Sequence, residues 1–426
     1  MKIQKRAVSL ACLAVLGMAG SAQAVQVAGE ALDVFVYLYP QYQTTTYGDT
    51  TTGQLSTLTA GKTGAAPGSG AGKINQTGVN WVQSYVGFKG QKAFGDVRAG
   101  YEFQALVMPD GLTQAVEQTA YGNARDAYVF IEHKGLGTLQ MGQMDTIYKE
   151  YGDRVRMLGV SSGSFVSTSG ILSGVSWKPA AANIAANGDL NGVTTFNTRI
   201  NGQLRYQSPN WSGFEFGVSL RPDPKQTNLP ATQDQSLQSF GARWSNQTYY
   251  VGLSQEVHNN YHPFTGDTAA VPAVPSIANS TATHSRDMAT KLSLGYKAEK
   301  FRVGADVASL TYSEDAAAAS VGKFLTYETV AWQITGEYTL TPVLTLAAGY
   351  ASGGAGNCTL TGNAVCSTDG LGGTQVNLGM RYDYDKSIGL FAIAAQNTNN
   401  SSAAFGSGAN TGGNVSNIAA GMLIRY

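Results

Sequence analysis

Stretches of strict two-residue alternation run through this 426-residue chain from end to end, and few folds can accommodate them. In 374–384, TQVNLGMRYDY, one parity holds Val376, Leu378, Met380, Tyr382 and Tyr384. The other holds Gln375, Asn377, Gly379, Arg381 and Asp383. Successive side chains of a strand point to opposite faces, so this stretch predicts a strand with one oily face and one wet face. The same division recurs in 96–105, 213–221, 291–297, 301–310, 329–340 and 416–426. Sixteen such segments can be marked, beginning with 33–43 and 79–89 and ending with 388–395 and 416–426.

The connections between them alternate between two classes. Short ones such as 90–94, 134–136, 208–212 and 341–342 are followed by long ones, the longest being 145–196. A soluble sandwich has no reason to sort its loops this way. A barrel that crosses a membrane does, with tight turns on the periplasmic side and longer loops outside. Within hydrocarbon no water can satisfy peptide groups, so the sheet must close on itself. About sixteen strands enclose more space than side chains can fill, which makes the interior a water channel. The predicted fold is therefore all-β, a transmembrane antiparallel up-and-down β-barrel of about sixteen strands.

Composition agrees where it bears on this reading. Charged residues are only 13% of the chain and glycines number 52, against roughly 25% charged residues in average domains. A formal net charge of zero leaves no basic excess for phosphates, so no nucleic-acid partner is expected. No long apolar run lies outside the extreme N-terminus, which excludes membrane helices. Mid-strand Arg98, Glu102, Gln203, Arg205, Gln333, Glu337, Asn377 and Arg381 read as lumen-facing. Facing lipid, an arginine near the midplane would cost roughly 2–4 kcal/mol. Tyr101, Tyr249, Tyr296, Trp332, Tyr338, Tyr350, Tyr382 and Tyr384 fall on the outward parity, as rings at the headgroup level would. That parity persists through Ile418, Ala420, Met422 and Ile424 to Tyr426.

Residues 1–24 read as a signal peptide: Lys2, Lys5 and Arg6 precede an apolar stretch, and Ala22-Gln23-Ala24 is a cleavage site. Residues 25–426 then form the barrel domain. Of the three cysteines only Cys358 and Cys366 remain, and in an oxidising compartment they most simply form one disulfide. His133 lies beside a short turn, and His258, His262 and His284 fall in the long connection 258–286. No Gly-x-Ser-x-Gly elbow or His-Glu-x-x-His helix accompanies them. No enzyme activity, metal or cofactor is expected.

Several motifs carry a family resemblance. Segment 84–104, SYVGFKGQKAFGDVRAGYEFQ, is similar to the second and third strands of the Gram-negative general porins around a Gly-Phe-Lys-Gly turn. Segments 125–143, RDAYVFIEHKGLGTLQMGQ, and 199–214, RINGQLRYQSPNWSGF, resemble later parts of the same family in the same order. The resemblance implies a homotrimeric channel in the Gram-negative outer membrane, surrounded by lipid and lipopolysaccharide, passing ions and small hydrophilic solutes by diffusion. It also implies a long third external loop, here 145–196, folded into the pore. In that family, loop carboxylates oppose a ladder of wall arginines. Arg125 and Arg199 match wall positions, while Arg98 and Arg205 share the inward parity; Glu150, Asp153 and Asp189 are the loop acids.

Departures are present too. Tyr85 and Gln143 stand where arginines are expected, and Lys149, Arg154 and Arg156 bring positive charge to the loop. Inward bases (with Lys291, Arg302 and Arg381) are matched by inward acids (Asp96, Glu102, Glu215, Asp306, Glu337, Asp383), so the preferred ion sign stays open. Tyr85, Tyr148 and Tyr151 hint at lumen-facing rings. The alternatives are a substrate-selective channel for a sugar or an anion, and a surface-binding barrel acting as an adhesin or phage receptor.

Overall fold

The computed structural model describes residues 25–26, 30–49, 56, 74–81, 84–107, 124–160, 169–173, 196–222, 235–260, 284–315, 321–322, 324–406 and 411–426. The expected signal peptide 1–24, Asp189 and His262 lie outside them. The described residues build one closed antiparallel sheet whose wall has sixteen strands. Strand β1 runs Asp33–Leu38 and, past Tyr39, Pro40–Tyr47, and β2 runs Ile74–Trp81 and Tyr85–Phe94. Next come β3 Val97–Leu106, β4 Ala124–His133, β5 Gly137–Asp145, β6 Arg199–Gln207 and β7 Phe214–Arg221. Then follow β8 Ser236–Ser245, β9 Tyr249–Asn259, β10 Ser285–Lys297 and β11 Phe301–Glu314. The wall ends with β12 Phe324–Thr341, β13 Leu344–Gly353, β14 Gly373–Asp383, β15 Ile388–Asn399 and β16 Val415–Arg425.

Each strand pairs with its sequence neighbours, and β16 returns to β1 through Ile418↔Thr44 and Ala420↔Tyr42. The last residue takes part: Tyr426 and Val36 exchange both backbone hydrogen bonds, at 2.9 and 3.0 Å. Closure removes the open edge that hydrocarbon would punish.

Polarity is inverted relative to a water-soluble protein. The outer face exposes Leu253, Val330, Leu378, Ile418 and the ring residues singled out above, whereas Gln203, Ser239, Glu256, Lys291 and Asn377 are fully buried inside. Two apolar clusters also lie inside. One gathers Tyr148, Ile171, Phe196, Leu310, Tyr312, Phe324 and Phe405, and the other gathers Tyr39, Met157, Leu158, Phe391 and Ile393.

Several boundaries differ from the reading of the sequence. The ladder of β2 continues through 90–94 to the pair Phe94↔Val97, leaving only Gly95–Asp96 as the turn. Gly95 has φ 64°, and a two-residue hairpin needs such a left-handed residue. Asp96 is consequently a rim residue, 3.3 Å from Lys134 of the next turn, and not an inward acid. His258 belongs to β9 and not to a loop. It is buried, with Nε2 3.1 Å from Glu256 Oε1 and its ring stacked 4.6 Å from Phe196. Asp145 closes β5 in register with Arg199, so the long connection starts one residue later than expected. In the connection after β13, the short strand Asn357–Leu360 extends the edge of β12, and the Cys358 and Cys366 sulfurs are bonded with Cα atoms 5.7 Å apart.

Candidate pore constriction

Thr146 opens the third long connection by capping one helical turn, α1 (Ile147–Glu150); its Oγ1 accepts from Lys149 N at 3.3 Å. Backbone outside a ladder must find other partners, and here the inward row of the wall supplies them. Tyr148 N donates to Ser239 Oγ of β8 at 2.8 Å. The Tyr250 hydroxyl of β9 donates to Tyr151 O at 2.7 Å, and Asp153 N donates to the Asp306 carboxylate of β11 at 3.2 and 3.3 Å. Leu158 N donates to Glu337 of β12, and Arg381 of β14 donates to Leu158 O. Residues 146–160 thus lie against the inner wall from β7 to β14.

Glycines clear the track. Gly217 of β7 and Gly241 of β8 face each other in register, as do Gly295 of β10 and Gly304 of β11. A Cβ on Gly217 would stand 2.4 Å from Ile147 Cδ1, and one on Gly304 would stand 3.2 Å from Val155 N. Farther along, Met157 and Leu158 cover Phe391 and Ile393, the apolar inward residues of β15. Apolar groups on a wet wall would cost free energy if left uncovered.

Two chains of alternating charge join α1 to the wall. In the first, Arg199 holds Asp126 at 2.6 Å and Asp145 at 2.9 Å, and Lys149 joins Asp145 at 3.1 Å. In the second, Glu150 binds Arg205 directly and Arg243 at 3.5 Å, while Arg243 reaches Glu215 at 2.7 Å. The resemblance implied loop acids opposite wall arginines. Glu150 is instead in contact with Arg205, because α1 sits directly on the strands that carry the arginines. Arg243 carries no motif in the sequence, although its parity within β8, opposite Phe240 and Trp244, places it inward.

The other expected residues divide. Strict alternation from the exposed Val129 and Ile131 would send Arg125 toward lipid. A bulge reverses this: the register passes from Phe103↔Ala127 to Ala105↔Ala124, so Arg125 and Asp126 together oppose Gln104. A bulge re-aims a side chain without breaking the sheet. The Arg125 guanidinium lies 4.5 Å above the Tyr85 ring, and its Nε has no hydrogen bond. Tyr85 faces inward, stacked on Tyr37 at 5.1 Å. Arg98 does not join this group; it faces inward at the short-turn rim, where it pairs with Glu132 and covers Phe130. Tyr148 and Tyr151 are not lumen-facing rings either. Both are fully buried, one within α1 and one capping it, with Lys291 Nζ 3.9 Å above Tyr148 and Arg243 4.6 Å above Tyr151. Asp153 turns back at φ 50° beside Asp306, and burial together with that neighbouring carboxylate pushes its carboxyl up to about 6.

Arg154 and Arg156 are exposed, and among the described residues neither has an ion pair. Arg154 lies 4.1 Å from the Tyr250 ring.

A closed sixteen-stranded sheet with an apolar exterior and a charged inner wall defines an integral outer-membrane β-barrel channel. The model of the Gram-negative porin family matches residues 8–402, and the chain belongs to that family. No curated protein matches it by sequence. Its fold is similar to an anion-selective porin from Comamonas acidovorans, at a TM-score of 0.61 and 14% identity over 93% of this chain and 99% of that one. It is also similar to OmpT of Vibrio cholerae in its trimer form (TM-score 0.55, 11% identity, 93% and 99% covered) and to Salmonella typhi OmpF in complex with daunomycin (0.54, 13%, 95% and 100%). At these identities the likeness concerns the fold alone.

Proposed function

We propose that residues 146–160 narrow the water-filled channel of this outer-membrane porin and give it a preference for anions. The observation that carries this reading is an imbalance of charge. Asp126, Asp145, Glu150 and Glu215 are each engaged by Arg199, Lys149, Arg205 or Arg243, which cancels that set. Arg125, Arg154 and Arg156 remain without an acid partner among the described residues. Against them stand Asp153 on the loop and Glu256 and Asp306 buried beneath it, three acids to the four bases that Lys291 completes, so the surplus is positive. A constriction lined by charge of one sign selects the opposite ion. Transport is passive, by size exclusion and charge, with no turnover.

A planar bilayer under a salt gradient tests this. The wild-type reversal potential should carry the sign of anion preference, and Arg154→Ala with Arg156→Ala should move it toward zero. A cation-selective wild type, or an unmoved potential in the double variant, would overturn the assignment. We further read the native assembly as a homotrimer, on the strength of the family and of the OmpT trimer form. Conductance steps grouped in threes are the expected signature. Residues 1–24 are read as the export signal, and the N-terminal sequence of outer-membrane material checks that.

A further inference from the structure

On the short-turn side of Arg125 the inner wall carries a second feature that the diffusion reading does not use. Pro40 has no N–H, so the β1 ladder breaks at Tyr39. The pairing of β2 is interrupted at the same level, and Tyr39 N is recovered by Ser84 Oγ at 2.8 Å. Below the break, Phe35 and Tyr37 pair with Gly87 and Tyr85 across the strands. Gly87 leaves the room: a Cβ there would stand 2.1 Å from the Phe35 ring. Phe35 meets Tyr37 and Tyr85 edge-on, each at 6.2 Å. Arg125, Tyr85 and Tyr37 thus form a stack, in which Tyr85 is buried and Tyr37 stays partly accessible.

Tyr37 opens into a cavity of about 610 Å³, walled also by Phe35, Lys89, Glu102, Gln104, Lys386 and Arg425. Lys89 Nζ lies 5.5 Å above the Phe35 ring. Its cross-strand neighbours are Asp33 and Glu102, yet it forms an ion pair with neither. Glu102 instead accepts from Gln104 Nε2 at 2.5 Å and from the Tyr128 hydroxyl at 3.0 Å. Arg425 donates through Nε to Lys386 O at 2.6 Å and has no carboxylate partner among the described residues. The cavity therefore joins an aromatic floor to three cations, Lys89, Lys386 and Arg425, against the single side-chain carboxylate of Glu102 in its lining.

We infer that this cavity is a binding subsite for an aryl carboxylate. The flat ring extends the Tyr85–Tyr37 stack, and the carboxylate meets Lys89 and Arg425 while Gln104 offers a polar edge. Offset aromatic stacking and charge-assisted hydrogen bonds act together on such a solute. A small aliphatic anion engages only the second of these, and a neutral ring only the first. The inference rests on the channel reading, since the solute must reach the cavity through the lumen. It adds that certain solutes pause there.

Single-channel current in KCl, with benzoate added to one side at a time, is the test. Brief interruptions should appear with benzoate and be at least about tenfold rarer with acetate or benzyl alcohol at the same concentration. Lys89→Met and Tyr37→Leu, each read against its own KCl current, should weaken benzoate block by about tenfold. Benzoate acting no differently from acetate, or block that survives both substitutions, would overturn the subsite. Glucuronate blocking as well as benzoate would overturn the aryl assignment in favour of a sugar acid. A wild-type protein that passes no KCl current would instead remove the channel reading itself, so the two failures are distinguishable.

Discussion

The inner wall of this barrel has two unlike halves. From β7 to β14 the strands keep their alternation except for a register shift at Thr339–Thr341 beside a short turn, and their inward row is given over to holding residues 146–160: glycines where the chain lies close, and single polar groups where its backbone needs a partner. From β1 to β6 the regularity fails at one level, with a break at Tyr39, a bulge at Arg125–Asp126 and another register shift between Gly142 and Met144. The regular half is a bed. The irregular half aims side chains that alternation would have sent elsewhere. Bulges concentrate where a wall must present a chosen residue, and here they gather on the side that the bound loop leaves uncovered.

The largest effect should come from spoiling the bed. Gly217→Val drives a side chain into Ile147, so α1 must lift and take Glu150 away from Arg205 and Arg243. Overpacking of this kind costs typically 1–3 kcal/mol. Unitary conductance should change well beyond experimental scatter and thermal stability should fall; unchanged conductance would mean that α1 does not narrow the channel. A matching substitution on the irregular half, such as Gly78→Val, has open space around its Cβ and should leave conductance as it was.

A smaller effect concerns acidity. Asp153 holds its proton up to about pH 6 because it is buried against Asp306. Its folded value lies above the unfolded one, so between about pH 4 and 6 the folded protein binds the extra proton. Stability from this group is therefore greatest below that window and is lost as pH rises through it. Acidification from pH 7 to 5 also deletes one negative charge from the loop, which should strengthen anion preference in the reversal potential. Asp153→Asn should remove that part of the pH dependence, and an unaltered pH profile in the variant would assign it to another group.

The smallest effect is expected far from both halves. The Cys358–Cys366 bond lies in an external connection beside β12, so its reduction should leave conductance and ion preference intact. Loss of channels on reduction would show that this connection supports the bed below it.

How much of this was legible beforehand varies by residue. Arg205 and Glu337 could be placed inward from their neighbours alone, as could the run from Ile418 to Tyr426 on the lipid side, because strand parity needs only adjacent residues. Arg243 is equally readable, since it alternates with Phe240 and Trp244. His258 reads as a loop residue because Asn259, Asn260 and Pro263 follow it, and a ladder's end depends on what its partner strand offers. The burial of Tyr148 and Tyr151 had no local sign: it follows from where α1 comes to rest.

By itself, then, the order of residues determined the class of fold and the side of the wall on which most side chains lie, since the two-residue period of a strand and the insolubility of unpaired peptide groups in hydrocarbon leave one solution. Tertiary structure alone decided that Arg125 faces water, that Glu150 rests on Arg205, and that Tyr37 and Tyr85 share one cavity with three cations and a single side-chain carboxylate. A single extra residue in a ladder reverses parity locally, and pairing between a loop and a wall 55 residues away is settled only when the barrel closes around both.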